Sequence, residues 1–238
     1  RAPRYSLTFA FPLLLAYEAL AIALSGDEIA GVRNGADVIL KSLFVTLGGR
    51  NGLLLFGALL VGSGAVLVWR DLRRSGGLEG GVFLLMALES VGLALSLGVV
   101  AGTLAGLLLG LGTVLPAGSA ALSPPADLGL GTQLMISLGA GIYEELLFRV
   151  VLVGALAWLA QRAFGWGAVA GGLFATVLGA LIFAGFHYIG PYGDRLELAS
   201  FTFRAVAGLL FSGLYLLRGF GITAWTHALY DVFLAAGR

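Results

Sequence analysis

The feature of this sequence that most constrains its fold is a series of apolar runs separated by short polar connectors. A helix needs about 20 consecutive apolar residues to cross the hydrocarbon core of a bilayer. The chain is 59% hydrophobic and 11% charged, with a mean hydropathy of +0.98, whereas a soluble domain carries about 25% charged residues. The sequence therefore predicts an integral membrane protein of the all-α class, a polytopic transmembrane bundle of about seven to eight helices that forms one domain.

Seven segments have the length and polarity of membrane spans. They are about residues 7–24, 53–69, 82–111, 134–160, 167–188, 198–217 and 221–236. The first segment has no small-residue cleavage site, which favours a retained span over a removable signal peptide. The third is longer than one perpendicular crossing, so it predicts a helix that tilts, breaks or extends past the bilayer. The connector of about residues 26–51 mixes charged and apolar side chains, which is typical of a helix lying at the membrane interface.

Composition also argues against several kinds of chemistry. The net charge of +1 gives no indication of nucleic-acid binding. The chain contains no cysteine, which excludes disulfides, thiolate nucleophiles and thiolate-bound metals. The expected surroundings are therefore a lipid bilayer, and the expected partners are membrane-associated molecules.

Arginines in the connectors predict the orientation of the bundle. Positively charged short loops stay on the cytoplasmic side of a membrane. Such arginines precede the first span and follow the second, fourth and sixth, at Arg1, Arg4, Arg70, Arg73, Arg74, Arg162 and Arg218. They agree on a cytoplasmic N-terminus, while Arg33, Lys41 and Arg50 in the first outer connector oppose it. The polar residues of the later spans then lie nearer the outer surface.

The stretch GAGIYEELLFRVV places two glutamates and an arginine inside the fourth span. Ionisable groups in a membrane span are costly and by default indicate a functional site. Glu145 and Arg149 are one helical turn apart, so they can form an ion pair that either joins helices or supports a site. Glu144 is turned about 100° away and has no partner on its own helix, which leaves its carboxylate available for chemistry.

Both histidines of the chain lie in predicted spans, His187 in FAGFHYIG and His227 in HALYDV. Asp231 follows His227 by one turn on the same face. A carboxylate and two imidazoles that meet in a water-accessible cavity can activate a water molecule and stabilise an oxyanion. The alternatives are that each histidine only packs and that His227 and Asp231 are a hydrogen-bonded pair within one helix.

The other ionisable residues of the spans are expected to be structural. We expect Glu18 and Glu89 to cap or bridge helices. We expect Arg204 and Arg218 either to reach the membrane surface with their charged ends or to anchor spans.

Three motifs in these spans resemble those of the CPBP family, the CAAX proteases and bacteriocin-processing enzymes, also called the Abi family. EELLFR matches EExxxR, FAGFH matches FxxxH, and HALYD matches HxxxN or HxxxD, in the family's order over about residues 139–232. The first 130 residues resemble the family only in being membrane spans. We therefore expect residues 1–130 to form variable N-terminal membrane helices with an interfacial segment, and residues 131–238 to form a CPBP-like catalytic helical core.

The resemblance implies an intramembrane endopeptidase of the glutamate type. Glu144 lies at the position that resembles the family's general base for water, and His187 lies at the position of the partner of that base. Glu145 and Arg149 match the supporting positions. The implied substrate is a membrane-associated precursor protein.

Position 231 departs from the pattern of the best-known CAAX-processing members, which have Asn there. His227 and residue 231 resemble an oxyanion-stabilising pair, but an ionised Asp cannot donate a hydrogen bond. Either Asp231 is protonated, or it orients His227 and leaves that histidine as the donor. We favour the second interpretation.

The sequence also bears on cofactors, substrate and competing functions. Two His and a Glu can hold Zn²⁺, but the HExxH pattern is absent and no third ligand follows at helical spacing, so we expect no cofactor and consider zinc less favoured. We expect a bacterial inner-membrane protein that removes C-terminal anchor or sorting segments or processes bacteriocin-type precursors. The alternative is a transporter, or a non-proteolytic immunity or binding protein, that uses the same polar cluster.

Overall fold

The computed structural model describes residues 1–25, 32–115, 129–190 and 193–236, and all regular secondary structure in these ranges is helical. The helices are α1 (Pro3–Ser25), α2 (Gly35–Gly48), α3 (Arg50–Ser75), α4 (Gly80–Leu108), α5 (Leu130–Gly139), α6 (Val153–Ala163), α7 (Ala168–Phe186), α8 (Leu198–Arg218) and α9 (Phe220–Ala236). The all-α bundle predicted from the apolar runs is confirmed.

Five of the helical segments are long and apolar enough to cross a membrane. They are Pro3–Leu24, Asn51–Ser75, Gly80–Leu108, Ala168–Phe186 and Leu198–Arg218. Only 11% of the most apolar window of α3 is buried inside the protein, against 44% for α8. We conclude that α3 is peripheral and exposes its leucines and valines to lipid, while α8 is central. The chain is therefore an integral membrane protein.

Helix α2 has the amphipathic character predicted for the segment of about residues 26–51, of which 26–31 lie outside the described residues. It is 14 residues long, and Asn34 caps its N-terminus by accepting a hydrogen bond from the Ala36 amide. One face, which includes Asp37 and Lys41, is buried, whereas Leu47 on another face is 78% exposed. A helix this short does not span a bilayer, which is compatible with the interfacial position predicted from the sequence.

Contacts between helix ends group the connectors at two ends of the bundle. The Arg4 amide donates to Asp71 Oδ2 at 3.0 Å, and the Gly221 amide donates to Ser6 Oγ at 2.8 Å. The N-terminus, the end of α3 and the start of α9 therefore meet at one end, which the arginine pattern predicts to be cytoplasmic. Helix α2 and the connector after α7 lie at the opposite end.

Helix α4, which corresponds to the long apolar run, is unbroken. Its 29 residues give a length of about 44 Å, more than the thickness of about 30 Å of a hydrocarbon core. The chain then folds back, because the Leu115 amide donates to the Gly102 carbonyl at 3.1 Å. A Cβ on Gly102 would lie 2.1 Å from the Leu115 oxygen, so glycine is required for this return.

The predicted fourth span is helical throughout but not α-helical throughout. Between α5 and α6 the chain forms two π-helical segments, Ala140–Glu144 and Leu146–Leu152. A π-helix within an α-helix is uncommon and frequently marks a functional site. Hydrophobic periodicity assumes regular α geometry, so it did not reveal this change.

Two glycines let neighbouring elements approach the first π-helical segment closely. A Cβ on Gly139 would lie 2.6 Å from the Asn34 Cβ and 2.6 Å from the ring of Tyr17. A Cβ on Gly141 would lie 2.4 Å from the Ala224 carbonyl oxygen. These contacts bring α1, α2 and α9 against the segment that contains Glu144 and immediately precedes Glu145.

Candidate active site

Glu145 lies between the two π-helical segments and contacts α9. Its side chain is fully buried, and its Oε1 accepts a hydrogen bond from His227 Nδ1 at 2.7 Å. Its Oε2 lies 3.2 Å from Arg149 Nε, an ion pair without hydrogen-bond geometry. The ion pair predicted between Glu145 and Arg149 therefore forms, and His227 is an additional partner.

Arg149 is enclosed by aromatic rings as well as by its carboxylate. Its guanidinium carbon lies 4.4 Å from the ring centre of Phe183 and 5.4 Å from that of Phe211. Its Nη2 also donates weakly to the Gly208 carbonyl at 3.4 Å. Aromatic faces stabilise a desolvated cation, so these rings favour a charged arginine in the protein interior.

His187 lies at the C-terminal cap of α7, at the same end of the bundle as α2. Its Nδ1 is 2.8 Å from the Phe183 carbonyl oxygen. A carbonyl can only accept a hydrogen bond, so Nδ1 carries the proton and Nε2 is the acceptor of the neutral ring. The contact therefore selects a tautomer in which Nε2 can bind a water proton.

Glu144 is buried with an exposed fraction of 6%. Its Oε1 accepts a hydrogen bond from Asn34 Nδ2 at 2.8 Å, while Oε2 has no hydrogen-bond partner among the described residues. The carboxylate interacts electrostatically with both His187 and His227. The structure thus brings residues from all three motifs together.

Asp231 does not provide the hydrogen bond expected from the sequence. Its Oδ2 lies 3.8 Å from His227 Nε2, which is too long for a hydrogen bond. The favoured expectation that Asp231 orients His227 is therefore corrected: Glu145 makes that bond through Nδ1. One turn along α9 carries Asp231 toward the surface, where its side chain is 31% exposed, while the π-helical segment brings Glu145 against the ring.

Arg204 does not extend its charged end to the membrane surface, so this part of the expectation is wrong. Its exposed fraction is 5%, and it forms an ion pair with Asp194 in the connector after α7. Its guanidinium carbon lies 5.0 Å from the ring centre of Tyr188. Because the Asp194 amide donates to the His187 carbonyl at 3.0 Å, Arg204 holds the connector that begins at the candidate catalytic histidine.

The expectations for the remaining charged residues agree with the structure. Glu18 accepts from Lys41 at 3.0 Å and so joins α1 to α2. Glu89 accepts from Arg218 at 2.5 Å and joins α4 to α8. Both glutamates therefore bridge helices.

A second buried polar cluster lies beside the site and was not recognised from the sequence. The Tyr143 hydroxyl donates to Glu18, and Lys41 lies 3.0 Å from both Glu18 and Asp37. The Tyr17 hydroxyl donates to Asp37 at 2.7 Å. The sequence signal was the one-turn spacing of Asp37 and Lys41 in a short apolar helix.

The alternative of a zinc site can be compared with these positions. In the part of the chain that the structure describes, no three His, Cys, Asp or Glu side chains are grouped so that they would hold a metal ion. Glu145 is already engaged by an arginine and a histidine. Independence from metal remains a prediction for experiment.

Comparison with known proteins supports the assignment of the motifs. Residues 127–233 match a family model described as type II CAAX prenyl endopeptidase Rce1-like. No curated protein and no solved structure matches the chain. The matched residues include α5 to α8, most of α9 and all three motifs, so the resemblance predicted from the motifs is confirmed. The match is therefore a similarity of residues 127–233 to the peptidases that this family model describes.

Proposed function

We propose that this membrane protein, whose residues 127–233 match the CAAX-type endopeptidase family, hydrolyses peptide bonds of membrane-associated proteins with water activated by Glu144. The observation that carries the proposal is the convergence of Glu144, His187 and His227, which come from three separate helical elements. A buried carboxylate beside two imidazoles has the groups that peptide hydrolysis requires.

Glu144 and His187 prepare the nucleophile. Glu144 Oε2 takes a proton from water while His187 Nε2 accepts a hydrogen bond from the same molecule. The water oxygen then bonds to the scissile carbonyl carbon, whose oxygen becomes an oxyanion. The proton on Glu144 passes to the amide nitrogen as the carbon–nitrogen bond breaks, so one water yields a carboxylate end and an amine end.

His227 stabilises the oxyanion. Its Nδ1–H is committed to Glu145, so donation to the substrate requires a proton on Nε2 as well. The carboxylates of Glu145 and Asp231 lie on opposite sides of the ring, and together they stabilise the doubly protonated form. Glu145 and Arg149 then act as positioning residues for His227, and Asp231 contributes charge without a hydrogen bond.

The position of the site bears on the substrate. Glu144 and His227 are buried, whereas Asp231 is 31% exposed and His187 is half-buried, so the site opens on the side of the connector after α7. The arginine pattern predicts that this end faces outward. We therefore propose as substrates membrane-tethered or secreted precursors, with removal of a C-terminal anchor or sorting segment, in a bacterial inner membrane.

The test is cleavage of a panel of anchored precursors by the purified protein in nanodiscs. Wild type is compared with Glu144→Gln and His187→Ala, at equal amounts of folded protein. The matched control is Glu89→Gln, which makes the same chemical change at a glutamate that bridges α4 and α8. We expect a defined product from wild type and the control and its loss, by at least about 100-fold, in the two site variants.

Two outcomes would contradict the proposal. Full activity of Glu144→Gln would show that another group activates water. Absence of any product, together with a proton-driven flux that depends on Glu144, would favour the transporter alternative.

A further inference from the structure

We infer that Asn34, which lies outside the family match, is a positioning residue that holds the Glu144 carboxylate and determines which of its oxygens takes the proton from water. The inference rests on the proposed role of Glu144 as the base. It assigns part of the catalytic arrangement to α2, a helix that none of the motifs includes.

The N-cap of α2 fixes the orientation of the Asn34 amide. Its Oδ1 accepts a hydrogen bond from the Ala36 amide at 2.9 Å. Oδ1 is thereby committed to a backbone donor, so the group that faces Glu144 is the NH₂, and a flipped amide would lose both contacts. The 2.8 Å contact is therefore a hydrogen bond donated by Asn34 to Glu144 Oε1.

This bond makes the two oxygens of Glu144 unequal. Oε1 is held by Asn34, whereas Oε2 has no hydrogen-bond partner in the described parts of the chain. A neutral amide donor keeps the carboxylate in place without adding a positive charge that would oppose proton uptake. Oε2 is therefore the oxygen oriented for proton transfer.

The position of Asn34 is itself rigid. Asn34 is 4% exposed, and its Cβ would lie only 2.6 Å from a Cβ on Gly139, so the two backbones are in direct contact. One turn into α2, Asp37 accepts from Tyr17 at 2.7 Å, and Lys41 reaches Glu18 at 3.0 Å.

Both contacts tie α2 to α1. The start of α2 therefore cannot withdraw from Glu144 without breaking buried polar contacts.

The test separates the hydrogen bond that Asn34 donates to Glu144 from the role of Asn34 as the N-cap of α2. Asn34→Asp retains an acceptor for the Ala36 amide, since Asp is an equally good N-cap, but it removes the donor to Glu144. Asn34→Ser also retains a cap and introduces no charge, so it decides the question if the aspartate variant does not fold. The matched control is Asn51→Asp, the same change at an exposed position in α3.

The first measurement needs no substrate. Isotope-edited infrared spectra of protein with ¹³C-labelled glutamate, from which the spectrum of Glu144→Gln is subtracted, report the carboxylate stretching bands of Glu144. We expect these bands to shift in both Asn34 variants and to stay unchanged in Asn51→Asp. Bands that are unchanged in the Asn34 variants would overturn the inference.

The second measurement is kinetic, on the precursor that wild type cleaves. Loss of a partner that orients a catalytic group typically costs about 10–100-fold in activity, and we expect this loss in kcat with KM within about twofold of wild type. The acidic limb of the pH–rate profile should move to higher pH in both variants, because the ionised carboxylate loses a hydrogen bond that favours it, and further in Asn34→Asp, which also places a like charge beside it. The other groups around Glu144 remain present in the variants: His187, His227, Arg149 and Asp231.

The outcomes distinguish this inference from the proposed function. A normal kcat and an unchanged acidic limb in both Asn34 variants would show that the contact is only structural. If wild type cleaves no precursor but the infrared bands shift in the Asn34 variants alone, the contact to Glu144 is supported and the proposed peptidase activity is what fails.

Discussion

Replacement of Glu145 by glutamine should separate the structural role of this residue from its effect on the chemistry. Glutamine has nearly the same volume and can still accept the hydrogen bond from His227 Nδ1, now 2.7 Å from Glu145 Oε1. It cannot balance the charge of Arg149, whose side chain is only 2% exposed. The variant therefore leaves a buried cation without the counter-ion that contacts it.

The magnitude follows from that burial. Removing one partner of a buried ion pair typically costs about 3–5 kcal/mol. The rings of Phe183 and Phe211 near the guanidinium offset part of this cost, so we expect a loss of about 3 kcal/mol in the free energy of unfolding. Arg149→Met should cost a similar amount, because it leaves the fully buried Glu145 with His227 as its partner. The double variant should recover most of the loss, because it contains neither buried charge.

The assay is reversible unfolding in mixed micelles followed by tryptophan fluorescence, with a double-mutant cycle over the two positions. Activity should respond differently from stability. We expect the double variant to remain at least about tenfold less active than wild type, because the glutamine no longer stabilises a protonated His227. Two results would refute the reasoning: additive destabilisation in the double variant, or activity restored together with stability.

Three further predictions follow from the geometry. Asp231→Asn should lower kcat by less than about fivefold, because Asp231, at 3.8 Å from His227 Nε2, contributes charge to a protonated ring but no hydrogen bond; a loss of 100-fold or more would give Asp231 a direct role. Gly139→Ala should destabilise the protein by about 1–3 kcal/mol and lower kcat, because the new Cβ would lie 2.6 Å from both Asn34 and Tyr17; unfolding and turnover measurements on the same preparation check both effects. Prolonged dialysis against a strong zinc chelator should leave cleavage intact, and activity that is lost and then restored by added Zn²⁺ would support the metal-dependent alternative.

The parts of the site that the sequence predicted depend on short-range geometry. The pairing of Glu145 with Arg149 follows from one-turn spacing, and the contact is present at 3.2 Å. The length and polarity of the apolar runs were likewise sufficient to predict the helical bundle. In both cases the information lies within one segment of about 20 residues.

The remaining contacts depend on packing between distant segments. Glu144 and Asn34 are 110 positions apart, and Glu145 and His227 are 82 apart. No periodicity in a single sequence connects such positions. Arg204 shows the same limit, because its sequence context at the start of an apolar run is compatible with a surface anchor, whereas its partner Asp194 becomes apparent only when the connector folds back.

The two adjacent glutamates can remain buried because each of them accepts a hydrogen bond from a different helix. Neighbouring residues of a helix point to different sides, so both carboxylates are buried only if elements pack on two sides of the segment. Helix α9 presents His227 to Glu145, and α2 presents Asn34 to Glu144. The charged partner Arg149 contacts Glu145 directly. Glu144 has the neutral donor Asn34 instead.

This division has a consequence for the helices that precede the family match. A buried carboxylate without a hydrogen-bond donor is strongly disfavoured, so the segment of residues 127–233 would have to leave Glu144 either protonated or exposed if α2 were absent. Helix α2 is in turn tied to α1 by the contact of Lys41 with Glu18. Under the proposed mechanism, the N-terminal helices therefore help to orient the base through Asn34, which is a more specific task than enclosing the site or selecting its substrate.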